Sequence, residues 1–103
     1  MPKFECVLSM LGIDYLALGE AGDGPYVAAI RAAAAVFLVR VPRADLAEYQ
    51  ITVCRKGEQL GVIFLDKERP EGMLGDGGRP GCPGFEVTLQ AADLAVVKSH
   101  FVR

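Results

Sequence analysis

At 103 residues with a formal net charge of -2, the chain has the size of one domain and lacks the basic face that a nucleic-acid footprint needs. Hydrophobic residues make up 51 % and charged residues 23 %, a balance that offsets the entropy of ordering the backbone and excludes a disordered chain. The composition predicts one α+β domain over residues 1–103 that folds without a metal, a cofactor or disulfides.

The opening segment MPKFECVLSML places Lys3 and Glu5 among apolar residues, unlike the basic and then purely apolar layout of a signal peptide. Phe4, Cys6, Leu8 and Met10 alternate with Glu5, Val7, Ser9 and Leu11, which predicts a first strand with one apolar and one mixed face. Residues 19–25 are dense in turn formers, and Pro25 suits the first position of a helix because its φ is preset and its missing donor is not needed there. The alanine-rich run Tyr26–Ala35 then favours a helix, about 25–35, whose apolar surface predicts burial nearly all round. From Val36 to Val41 the β-branched and aromatic composition favours a strand over a helix continued to Pro42. A short helical turn is expected within 43–48.

Tyr49, Ile51 and Val53 alternate with Gln50, Thr52 and Cys54. Arg55-Lys56-Gly57-Glu58 supplies a turn, and Leu60–Leu65 returns as an apolar run, so a β-hairpin with a central second strand is predicted. Residues 69–84, RPEGMLGDGGRPGCPG, hold six glycines and three prolines and can form no periodic element. A loop this long is commonly functional or disordered, and 70–83 should be the most mobile part of the chain. Phe85, Val87 and Leu89 alternate as another strand, and the tail from Asp93 favours a final strand entered through a turn at 91–93. The whole reads as one buried helix on an antiparallel sheet of four or five strands.

Candidate binding residues are Asp76, Arg79 and Cys82 in the glycine-rich loop and Arg31 on the apolar helix. The loop glycines beside Arg79 could present N–H groups to an anion, though no GxxxxGK[ST] motif is present. Cys82 has Arg79 as its nearest cation in sequence but no evident base, so it is not expected to be a nucleophile. A pair between Cys82 and His100, the one histidine, would be the route to thiol chemistry. Cys6 and Cys54 read as small hydrophobes in strands. The three cysteines form no CxxC, which argues against a zinc site and for a reducing, cytoplasmic compartment. Tyr26–Val39, the most apolar segment, is too short for a bilayer and carries Arg31.

These features predict a non-catalytic binding or interaction module, a homodimer, with a protein partner or small molecule as ligand and neither nucleic acid nor membrane. The alternatives are a small-ligand pocket closed by 69–84 and a thiol-dependent enzyme using Cys82. One helix covers one sheet face, so apolar strands at Val36–Val41 and Leu60–Leu65 would leave surface for a second copy.

Overall fold

The computed structural model describes residues 5–18, 24–67 and 83–102. Its elements are β1 (Glu5–Leu11), α1 (Gly12–Ala17), α2 (Pro25–Arg40), a 3-10 turn (Leu46–Glu48), β2 (Tyr49–Lys56), β3 (Gln59–Asp66), β4 (Phe85–Gln90) and β5 (Val96–Phe101). The five strands form one antiparallel sheet in the order β1-β2-β3-β4-β5, with α2 packed on one face, an α+β fold. The glycine-rich loop, with Asp76, Arg79 and Cys82, lies outside the described residues, as does its expected mobility.

Period-two alternation sorts the strand residues into two faces. On the face under α2, register aligns Met10, Ile51, Phe64, Phe85 and Phe101 in one cross-strand row and Leu8, Val53, Val62, Val87 and Ser99 in the next. Phe37 descends from α2 into this face, 4.8 Å from the Phe64 ring, 5.3 Å from Phe85 and 5.1 Å edge-on from Tyr49. Arg40 lies over the Phe85 and Phe101 rings at 5.9 and 5.3 Å, one turn further along. The Tyr49 hydroxyl donates to the Pro83 carbonyl at 3.0 Å, fixing the chain where it enters β4.

The helix begins at Pro25 as predicted, preceded by Gly24 at φ 93°. It does not yield to a strand at Val36 but runs to Arg40, correcting the expectation for 36–41. Val27, Ile30, Ala34 and Phe37 fall at helical spacing on the buried side, and extending the helix carries Phe37 into the core. It stops at Val41 because a residue before proline is pushed out of the α region and Pro42 has no N–H to continue the ladder. Over the predicted stretch 26–35 only Ala35 is exposed, whereas in the added turn Val39 is 76 % exposed.

The hairpin closes through Gly57-Glu58 between the paired Lys56 and Gln59. Gly57 takes φ 59° while Glu58 stays negative, the backbone of a II′ turn, which matches strand twist and favours glycine first. β3 is the middle strand, with Gly61, Val62 and Phe64 buried, which accounts for its continuous apolar sequence. A second helix, α1, was not predicted; its Gly12 packs directly against the Leu46 carbonyl. No helix among the described residues is long and apolar enough to cross a membrane.

Candidate functional site on the open face of the sheet

The face opposite α2 carries the polar half of each alternating strand. One row reads Ser9, Thr52, Ile63, Glu86 and His100; the next reads Cys6, Cys54, Gly61, Thr88 and Lys98. Because Gly61 contributes no side chain, a shallow groove opens at the middle of the second row, lined by Lys56, Gln59, Gly61, Glu86, Thr88, Lys98 and His100. The Glu86 carboxylate folds over its floor: a Cβ added to Gly61 would lie 3.2 Å from Glu86 Oε2. The other carboxylate oxygen of Glu86 is 3.5 Å from His100 Nε2. Toward β1 the rows end in a polar cluster, with Gln50 Nε2 donating to Ser9 Oγ at 3.2 Å and the Ser9 and Thr52 hydroxyls 3.3 Å apart.

Lys56, Lys98 and His100 around a single carboxylate give the groove hydrogen-bond donors suited to a small anionic or polar molecule. Glu86 and His100, opposed on β4 and β5, face each other across the groove. Among the described residues, no three His, Cys, Asp or Glu side chains gather as metal ligands.

Of the sequence candidates, Asp76, Arg79 and Cys82 lie outside the described residues, and with them the Cys82–His100 pair. Arg31 is half-buried on α2, on the other side of the sheet from the groove. Its charge acts on Tyr15 of α1, where burial pushes the phenol above its ordinary 10.0 and the guanidinium opposes that rise. Apart from His100, the groove residues escaped the sequence reading because they come from four strands, and only register brings them together.

Cys54 is buried between Cys6 and Gly61 in the second row. Burial, reinforced by Cys6 and Glu86, pushes its thiol above the ordinary 9.0. Folding therefore favours the protonated thiol, so this contribution to stability is complete below pH 9.0 and is lost as pH rises through the higher folded value. Urea unfolding on both sides of that pH checks the point. The wild-type chain should lose more stability with rising pH than Cys54→Ala, and equal slopes for the two would contradict it.

The fold is thus an α+β sheet protein with one helix-covered face and one polar, grooved face. In three separate comparisons, no family model, no curated protein and no solved structure matches this chain.

Proposed function

We propose that this protein is a non-catalytic binding module that self-associates as a homodimer in the cytoplasm. The observation that carries the reading is at α1, where Leu11, Ile13, Leu16 and Leu18 are 42, 54, 52 and 43 % exposed within eight residues of chain. Ile13 and Leu16, one helical turn apart, present their side chains together. Such clusters are uncommon on soluble monomers and are covered most simply by a twofold copy of themselves. The seam expected at Val36–Val41 is replaced by this one, since that segment is helical and its exposed residues are Leu38, Val39 and Arg40.

The expected result is a dimer in sedimentation at micromolar concentration, burying about 1,000 Å² or more in total. The double variant Ile13→Glu, Leu16→Glu should sediment as a folded monomer whose melting temperature, unlike that of the wild type, does not depend on protein concentration, since both side chains are solvent-exposed in the single chain. A monomeric wild-type chain overturns the reading. A second reading, small-ligand binding, rests on the donors that converge over Gly61; closure by 69–84 would involve residues outside those described.

A further inference from the structure

Cys6 and Cys54 stand directly opposite each other on the neighbouring antiparallel strands β1 and β2. Opposed residues in such a pair have Cα atoms about 4.5–5.5 Å apart, inside the ~4.4–6.8 Å range that a disulfide spans. The register shifts immediately after Cys6, so Val7 is left without a ladder partner and this end of β1 is not locked into a regular ladder. Both cysteines are free thiols: Cys6 is exposed and donates to the Leu8 carbonyl at 3.8 Å, while Cys54 is buried beside it. From this juxtaposition we propose that Cys6 and Cys54 form a reversible cross-strand dithiol–disulfide pair, oxidised by peroxide and reopened by a dithiol reductant.

The exposed Cys6 meets the oxidant first. Its thiolate attacks one peroxide oxygen, the O–O bond breaks, and the departing hydroxide takes up the thiol's proton to leave as water, giving a sulfenic acid. The Cys54 sulfur then attacks the sulfenic sulfur; the S–O bond breaks and the oxygen leaves as a second water with the Cys54 proton. Two electrons pass from the dithiol to hydrogen peroxide, and one S–S bond is formed. Cys54, buried beside the exposed Cys6, is shielded from the oxidant and faces the sulfenic sulfur that Cys6 presents across the strand pair. The bond would tie edge strand β1 to β2 and close a loop that contains residues 7–53, including α1 and α2.

The test uses the full chain carrying Cys82→Ser, which leaves the two thiols of interest, treated with hydrogen peroxide after complete reduction. Mass spectrometry should show the loss of two hydrogens, and a non-reduced digest should yield the Cys6–Cys54 linked peptide. The melting temperature should rise by roughly 15 °C and return on adding dithiothreitol, as expected for a closed loop of this size. Cys6→Ser or Cys54→Ser in the same background should abolish the mass loss. Sulfinic or sulfonic acid at Cys6 with Cys54 unchanged, or chains linked only to one another through Cys6, would overturn the proposal.

Discussion

Replacing Phe37 with alanine is expected to cost about 3–5 kcal/mol of folding stability, the range for removing a fully buried aromatic side chain. The Phe37 ring has no solvent exposure and lies within 5.3 Å, centroid to centroid, of Tyr49, Phe64 and Phe85. It therefore joins α2 to β2, β3 and β4 at one point. Aromatic pairs add about 0.5–1.5 kcal/mol each beyond burial, and no smaller side chain of α2 can make up that loss. Phe37→Leu, which keeps much of the apolar volume but loses the ring contacts, should cost less than Phe37→Ala. Urea unfolding with an unchanged m-value measures both, and a Phe37→Ala loss below about 1 kcal/mol would show that α2 is held elsewhere.

The same residue explains where the sequence was legible and where it was not. The hairpin 49–65 was readable because its signals are local: alternation, a glycine able to take φ 59°, and a return strand apolar on both faces. The final strand, Val96–Phe101, was a weaker signal, because Leu94, Val97 and Phe101 also fit helical spacing and only the alternation of Val96, Lys98 and His100 favoured the strand that forms. Residues 36–41 misled because Val36, Phe37 and Val39 each cost a helix only about 0.5–0.7 kcal/mol relative to alanine, a sum near 2. Burying Phe37 returns about as much again, and its ring contacts tip the balance toward helix. Propensity saw the cost and not the contact. The groove was illegible on different grounds. Gly61, Glu86 and His100 lie far apart in sequence and meet only through the register of β3, β4 and β5. Cys6 and Cys54 looked inert one at a time, and their chemical interest lies in the pairing.

Replacing Gly12 with alanine carries the other large expected effect, and elementary propensity gives it the wrong sign. Glycine in a helix is worth roughly 1 kcal/mol less than alanine, so an exposed first-turn Gly→Ala change should stabilise. Gly12 is buried, however, and a Cβ there would overlap the Leu46 carbonyl oxygen and stand 3.1 Å from the Tyr49 carbonyl oxygen. Both obstacles are backbone, which cannot rotate aside as a side-chain tip would. Leu46 and Tyr49 bracket the 3-10 turn that feeds β2, and the Asp45 carboxylate caps that turn by accepting from Ala47 N–H at 3.0 Å. The methyl group must therefore push α1 off the turn or move the start of β2. Overpacking that forces backbone shifts costs about 1–3 kcal/mol and occasionally more, and with backbone on both sides the upper end applies. A fall in melting temperature of about 12 °C or more follows for a domain of this size. Thermal unfolding of Gly12→Ala decides the sign directly. A lower melting temperature places the packing of α1 on the 3-10 turn within the cooperative core, and a rise would mean that α1 separates from it freely.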